Sequence, residues 1–479
     1  MTQVPYLRVN ITGIRAAAGT ACATITSVIQ REIQSGALPA GGRLPPVRVL
    51  AHQLGVSKNT VQSAYDELAA RDLIEARNRR GVFVKAEQGT SPRPPSCRRP
   101  ATPDLIKGYG QWAPDRISNA IHLGKVFIDP ELLPQEQLSA CFRSVLQSPG
   151  LKSFYDAQGY RPLRTAIAKR LVARGIPAEA DEVIITTGSQ QALDLTCRAL
   201  ASKKIATENP AYGIGKMLFE MNDMTVTSLP VNPFCELPLD EWTQRIATQR
   251  PSLLYLTTNF QNPTGYSYST SELMHIADLS ATYSFGIIED DWGSDMLSFS
   301  EYRPPLRALC GGYILYMNSF TKKLLPSMRI GYLVADRAMI PTLVNAKRAA
   351  TLANPLLEEM ALFEFLDRGY YDSHLKKLQA ELDQRYHACL RQLEATMPEG
   401  VHWARPGGGP LIWLELPEHI ALAGLTSKLE ERGVVIADTR DRFFGAPHLH
   451  GFPIGYAFNN AEKLAKGLAI LAETLHELI

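Results

Sequence analysis

No stretch of this chain approaches the roughly 18 uncharged apolar residues that a membrane-spanning helix needs, so a conventional span is excluded. No basic segment leads into an apolar core near Met1. Ala16 to Ala23 is small and mildly apolar, but Arg15 sits beside it, and no secretory signal is expected. Cysteine is sparse and odd in number: Cys22, Cys97, Cys141, Cys197, Cys235, Cys310 and Cys389 are scattered, with no C-x-x-C. That argues against a disulfide framework and against a zinc site, and it fits a reducing cytoplasm. No metal is expected, and no internal repeat is visible. Hydrophobic residues make up 45% and charged residues 20% of the chain, which rules out wholesale disorder.

What is present is length and asymmetry. At 479 residues the chain is too long for one compact unit and suggests two to four domains. The net charge of +2 hides a division. Residues 1–118 hold 16 Lys and Arg against 8 Asp and Glu, a balance of +8, and the remainder holds 34 against 40, or −6. A basic first quarter on an acidic body suggests a module that faces a polyanion joined to one that does not.

Apolar periodicity predicts a helix from Ala23 to about Gly36, carrying Ile25, Val28, Ile29 and Ile33 on one face. A Pro- and Gly-rich loop follows. A short helix places Val47, Leu50, Ala51 and Leu54 inward and stops at Gly55. Ser57 is a natural N-cap for a third helix with Val61, Ala64, Tyr65 and Leu68 inward. Leu73 to Ala76 and Val82 to Val84 then flank Arg77 to Gly81, which reads as a two-stranded hairpin with a basic tip. Helix, short helix, tight turn, helix and basic hairpin is the winged helix-turn-helix layout. Ser57, Lys58, Asn59 and Thr60 lie at the end of the third helix that enters a major groove. Arg43 and Arg48 flank the second helix, where phosphates run. Arg77, Arg79, Arg80 and Gly81 form a wing tip suited to the backbone or minor groove.

The run from Gly36 to Leu68, G-A-L-P-A-G-G-R-L-P-P-V-R-V-L-A-H-Q-L-G-V-S-K-N-T-V-Q-S-A-Y-D-E-L, resembles the GntR-type winged helix, and L-I-E-A-R…R-G-V-F-V resembles its wing. Residues 1–85 are thus expected to form the DNA-binding domain, for a double-stranded operator. From 86 to 118 prolines and arginines punctuate a semi-extended linker. From 119 to 479 helical and strand patterns alternate as in an α/β domain, with strands expected at Val183–Thr186, Leu253–Leu256, Gly286–Glu289 and Tyr313–Met317.

In this body Ser319-Phe320-Thr321-Lys322-Lys323 is followed by Arg329-Ile330-Gly331. A lysine behind a strand, near hydroxyls and an arginine, suits a Schiff base with an aldehyde while Ser319 and Arg329 hold a phosphate. Thr187-Gly188-Ser189-Gln190 opens a helix whose N–H groups suit a phosphate. Ile287-Ile288-Glu289-Asp290-Asp291 puts a carboxylate at a strand end, where a pyridinium nitrogen needs one. Asn262 lies in a strand-end N-F-Q-N-P-T-G turn, and Tyr212 in E-N-P-A-Y offers a ring to stack on another. In this order the segments resemble the fold-type I aminotransferases that use pyridoxal 5′-phosphate. The resemblance implies Lys322 as the internal aldimine lysine, Asp290 at the pyridine nitrogen, Asn262 at the ring oxygen and Tyr212 against the ring face. It implies Ser189, Gln190, Ser319 and Arg329 at the phosphate, with Tyr155 lent across a dimer to the neighbour's phosphate.

A GntR-type winged helix, a Pro-rich linker and an aminotransferase-like body together resemble the MocR subfamily of bacterial transcriptional regulators. The resemblance implies a cytoplasmic, nucleoid-associated, head-to-tail homodimer without membrane contact. It would sense an amine-bearing small molecule through external aldimine formation, without sustained turnover. Two departures bear on this. Trp292 stands where related proteins carry a tyrosine at the ring oxygen. Pro453 stands where aminotransferases carry the arginine that clamps a substrate carboxylate, which puts ordinary transamination in doubt. Arg440 and Arg442 lie just upstream, where a loop could bring either in as a substitute for that arginine, but the favoured expectation is that both are solvated. An active aminotransferase with an appended DNA-binding domain is the alternative. A third reading makes the body a dimerisation scaffold without cofactor.

Overall fold

The computed structural model of the chain describes residue 9 and residues 21–77, 80–85, 120–152, 156–296 and 303–479. The chain divides into two compact units, Met1–Lys107 and Gly108–Ile479.

In the first unit three helices pack on a hairpin: α1 (Ala21–Gln34), α2 (Val47–Leu54), α3 (Lys58–Ala70), β1 (Ile74–Arg77) and β2 (Gly81–Val84). The helix predicted to run to Gly36 ends two residues earlier. Gly55, in the left-handed region at φ 70°, closes α2 by returning its N–H to carbonyls of the last turn. Ser57 caps α3, its hydroxyl accepting from the Thr60 N–H at 3.1 Å. The predicted inward faces meet in one core of Ile25, Val28, Ile29, Leu50, Leu54, Val61, Tyr65 and Leu68. Tyr65 satisfies its buried hydroxyl by donating to the Pro45 carbonyl at 2.8 Å. β1 and β2 are antiparallel, Ile74 opposite Val84.

The second unit is built on a seven-stranded sheet. In chain order its strands are β3 (Val183–Thr186), β4 (Lys204–Asn209), β5 (Thr225–Pro230), β6 (Leu253–Leu256), β7 (Gly286–Asp290), β8 (Leu315–Ser319) and β9 (Gly331–Val334). Across the sheet the order is β3-β9-β8-β7-β6-β4-β5. The strands are parallel except β9, which runs antiparallel to both of its neighbours, β3 and β8. Neighbouring residues of one strand go to different cores: Leu253 and Tyr255 to one, Leu254 and Leu256 to another. Both faces are therefore covered, which explains near-continuous apolar strands in place of alternation. The strand predicted from Tyr313 begins two residues later. Tyr313 closes a short 3-10 turn and is 84% exposed, and pairing starts at Leu315.

A smaller antiparallel sheet joins β10 (His402–Trp403), β11 (Leu411–Glu415) and β12 (Gly451–Gly455). It shares a core with the 27-residue helix Tyr370–Thr396 through Leu378, Leu382 and Leu393. No helix among the described residues is long and apolar enough to cross a membrane.

Candidate functional site

β8 ends at Ser319, and the chain returns as β9 at Gly331, the two residues standing opposite each other. Between them, Phe320 sinks into an apolar cluster with Leu324 and Met328. This anchors the two lysines that follow, and they diverge. Lys323 is buried, its Nζ 2.5 Å from Oδ1 of Asp295 and 2.6 Å from Oδ1 of Asn318. Lys322 turns into a cavity, its Nζ 4.0 Å from the Trp292 ring centroid and 5.8 Å from that of Tyr212. Burial pushes the Lys322 ammonium down to about 8, Asp290 opposing the shift and Arg442 and Arg329 adding to it.

The cavity, about 150 Å³, lies at the C-terminal ends of the parallel strands, where open α/β sheets bind ligands. It gathers Ser189, Gln190, Tyr212, Asn262, Asp290, Ser319, Lys322 and Arg329, eight of the nine residues the sequence nominates for a cofactor. The ninth, Tyr155, lies outside the described residues. Asp290 is buried at the end of β7, and burial pushes its carboxyl up to about 7 although Lys322 and Tyr255 hold it down. Its Oδ2 accepts from the Tyr255 hydroxyl at 3.1 Å, while Oδ1 has no partner among the described residues.

Ser189 opens the helix Ser189–Ala199, whose N-cap, Gly188, holds φ 94°. A Cβ on Gly188 would stand 3.0 Å from Nη2 of Arg329, and one on Gly331 would stand 2.8 Å from the Gly188 backbone. The helix N-terminus and the lysine-bearing loop therefore touch through two glycines. Arg329 donates from Nη2 to the Thr187 carbonyl at 2.9 Å. Ser319 Oγ accepts from the Thr321 N–H at 3.1 Å. The Thr321 hydroxyl is buried without a partner among the described residues, as is the indole N–H of Trp292.

Sequence reasoning missed Tyr255, Thr257 and Thr321, which also line the cavity. The signal for Tyr255 was a hydroxyl within the otherwise apolar run L-L-Y-L. Thr321 was visible as the residue preceding Lys322. A further expectation is corrected. Arg440 is exposed and pairs with Asp438 at 2.5 Å, but Arg442 is half-buried and donates from Nη1 to Oδ1 of Asn262 at 2.8 Å. The turn that carries Arg442 is held by the Ala211 N–H on its carbonyl at 2.9 Å, which draws the side chain inward. Pro453 is buried in β12 opposite Trp413.

In the first unit Lys58 and Asn59 are exposed on the first turn of α3, and Arg48 and Arg80 are exposed. The Ser57 and Thr60 hydroxyls meet each other at 2.9 Å within the cap. Arg43 packs its guanidinium against Gly81 and bridges Phe83 through its backbone. Arg77 lies 4.7 Å over the Phe83 ring and pairs with Glu75 at 2.7 Å. Arg79 and the linker 86–118 lie outside the described residues.

Residues 23–84 match the family described as bacterial regulatory proteins, gntR family, and residues 128–445 match aminotransferase class I and II. The HTH-type transcriptional regulator YisV of Bacillus subtilis is 28% identical over 482 residues, covering 95% of this chain and 96% of that one. The probable rhizopine catabolism regulatory protein MocR of Rhizobium meliloti is 27% identical, covering 92% and 90%. The crystal structure of LysN, an α-aminoadipate aminotransferase from Thermus thermophilus complexed with N-(5′-phosphopyridoxyl)-L-leucine, superposes with a TM-score of 0.70. It is 28% identical and covers 75% of this chain and 93% of that one.

Proposed function

Because the chain belongs to the MocR subfamily, a gntR-family DNA-binding domain joined to a class I and II aminotransferase domain, we propose that it is a transcriptional regulator whose operator binding answers to a small amine met at Lys322. The cofactor of its large domain is pyridoxal 5′-phosphate. When bound it supplies an aldehyde that condenses reversibly with primary amines.

The residues fit that group. The observation that carries the reading is the convergence of Lys322 with the unsatisfied Oδ1 of Asp290 in one cavity. A buried carboxylate oxygen without a donor is costly, and a protonated ring nitrogen would satisfy it. The helix opening at Ser189, with Ser319, Thr321 and Arg329, would hold the phosphate: a helix N-terminus, hydroxyl-bearing residues and an arginine all line the cavity. Asn262 has its side-chain carbonyl engaged by Arg442, which leaves its amide to donate to the ring oxygen. Tyr212 would lie along a ring face. Lys322 holds its proton weakly, so near pH 8 a large share of its Nζ is neutral and able to accept a proton. Trp292 shields that nitrogen from water on one side.

In the DNA-binding unit Lys58 and Asn59 would reach base edges, with Arg48 and Arg80 on phosphates. As a homodimer the protein would meet two half-sites together, so a modest change in their spacing would weaken linked binding strongly. The active-aminotransferase alternative is not favoured, because Pro453 supplies no cation.

The test is to record the absorption spectrum of purified protein and of Lys322→Ala, with and without added pyridoxal phosphate and a panel of primary amines, alongside operator affinity. A visible band in the wild type, altered in Lys322→Ala and moved by an amine that also changes DNA affinity, is the expected result. No band after adding pyridoxal phosphate, or DNA affinity indifferent to cofactor and amines, would refute the reading.

A further inference from the structure

Trp292 stands two residues past Asp290, where related proteins carry a tyrosine. It is 3% exposed and shares a core cluster with Phe260, Met296 and Leu378, so apolar neighbours hold its ring. It also lines the cofactor cavity. Its indole N–H has no partner among the described residues, so no hydrogen bond there accounts for the ring's placement. What the ring does meet is the Lys322 amine, with Nζ 4.0 Å from its centroid. That is well inside the roughly 6 Å over which an ammonium is drawn to an aromatic face, and indole offers the strongest such face. Tyr212 lies farther from Nζ, at 5.8 Å. The adjacent lysine is held quite differently: Lys323 has a carboxylate and an amide oxygen on its nitrogen. Lys322 has neither a hydrogen bond nor an ion pair among the described residues. The charges that face it are Asp290, which favours its ammonium, and Arg442 and Arg329, which oppose it.

We propose that the Trp292 ring is the seat of the Lys322 ammonium whenever a small amine displaces that lysine from the cofactor, and that this seat sets how much amine the displacement requires. This rests on the amine-sensing reading above. In the exchange an incoming ammonium, R–NH3+, takes over the carbon–nitrogen double bond that the aldehyde carbon had made to Nζ. The three hydrogens on the incoming nitrogen end on Nζ. Atoms and charge balance without an oxidant or a reductant, and the positive charge that enters with the ligand ends on Lys322. There burial and the two arginines disfavour it, while Asp290 and the indole face favour it. An interaction made with the freed ammonium, and not with a nitrogen bonded to the cofactor, pulls the exchange toward the ligand-bound state. Trp292 is thus a positioning residue that acts through Lys322. A phenol in its place would offer a weaker face.

The experiment leaves the fold alone and changes only the electron density of the ring. Full-length protein is produced with ordinary, monofluorinated or trifluorinated tryptophan, loaded with pyridoxal phosphate and titrated with n-propylamine, the visible band being read. The half-saturating amine concentration is expected to rise stepwise with fluorination, roughly fivefold for the trifluorinated ring. The same series is made in Trp292→Phe, where fluorination of the remaining tryptophans should change nothing. A second readout uses cofactor-free protein: the pH at which Lys322 captures pyridoxal phosphate at half its maximal rate should fall as the ring is fluorinated, because the ammonium loses support. A role in packing alone would move neither quantity. A half-saturating concentration that stays constant or falls with fluorination would overturn the proposal and leave amine sensing intact. So would a rise that persists in Trp292→Phe. No band shift with any amine in the unfluorinated protein would overturn both.

Discussion

Tyr255 on β6 reaches across to β7 and donates its hydroxyl to one oxygen of Asp290 at 3.1 Å, leaving the other oxygen without a partner among the described residues. A buried carboxyl that burial has pushed up to about 7 is kept partly ionised by this bond and by Lys322. Tyr255→Phe should raise it further. A hydrogen bond to a charged acceptor contributes about 1.5–3 kcal/mol, so pyridoxal phosphate affinity should fall roughly tenfold at pH 6.5. The loss should be smaller at pH 8.5, where a larger share of Asp290 is ionised in both proteins. Equilibrium titration of cofactor-free protein, read by absorbance, checks both values.

Lys323 differs from its neighbour in what its loss should do. Lys323→Ala leaves the Asp295 carboxylate buried without its cation. Breaking a buried pair from one side costs about 3–5 kcal/mol, so the urea midpoint should drop sharply. The double substitution Lys323→Met with Asp295→Leu should recover most of the loss. Lys322→Ala should shift the spectrum and leave the midpoint nearly unchanged.

Glu208 gives a pH dependence with a definite sign. Burial pushes its carboxyl up to about 8, against hydrogen bonds from Tyr268, the Thr257 N–H and Gln261. The folded value lies above the unfolded value of about 4.3, so the stabilisation is complete below the latter and is lost as pH rises through about 8. Glu208→Gln removes this titration. The melting temperature of the wild type should therefore fall relative to that of the variant from pH 5 to pH 8.5, and thermal unfolding at the two pH values measures it.

On DNA, Lys58 and Arg77 should separate. Lys58 is exposed at the head of α3, and Lys58→Ala should weaken binding to the operator by about 1–3 kcal/mol and narrow its preference over unrelated duplex, as loss of a base-edge contact does. Arg77 stacks on Phe83 and pairs with Glu75, so Arg77→Ala should also lower the stability of the hairpin. Fluorescence anisotropy on operator and unrelated duplex, with thermal melts, distinguishes the two.

The winged helix was almost wholly legible, because each boundary is set by local chemistry: a left-handed glycine at 55, a serine cap at 57, an inward stripe at helical spacing. The cavity was legible where function places rare residue types at strand ends, as with Lys322, Asp290 and Asn262. It was opaque where a residue acts across strands. Tyr255 lies 35 positions from Asp290, and nothing in L-L-Y-L reveals that β6 and β7 are neighbours. Arg442 misled for a related reason: it meets Asn262 across 180 positions, and beside it Arg440 is indeed solvated. A charge pattern cannot tell two arginines two residues apart which one turns inward. The Tyr313 strand start failed because apolar composition does not show where pairing begins.

A methyl group on Gly331 would collide with the Gly188 backbone at 2.8 Å, and one on Gly188 would meet the Arg329 guanidinium at 3.0 Å. The gap between the helix N-terminus and the Ser319–Arg329 loop is therefore gauged by main chain, which cannot swing aside as side chains do. The opening is a caliper with fixed jaws. It would grade an incoming anion by diameter before any charge is weighed; a substitution at Gly331 would reset that grading through the backbone, and one at Gly188 would press on the Arg329 guanidinium as well.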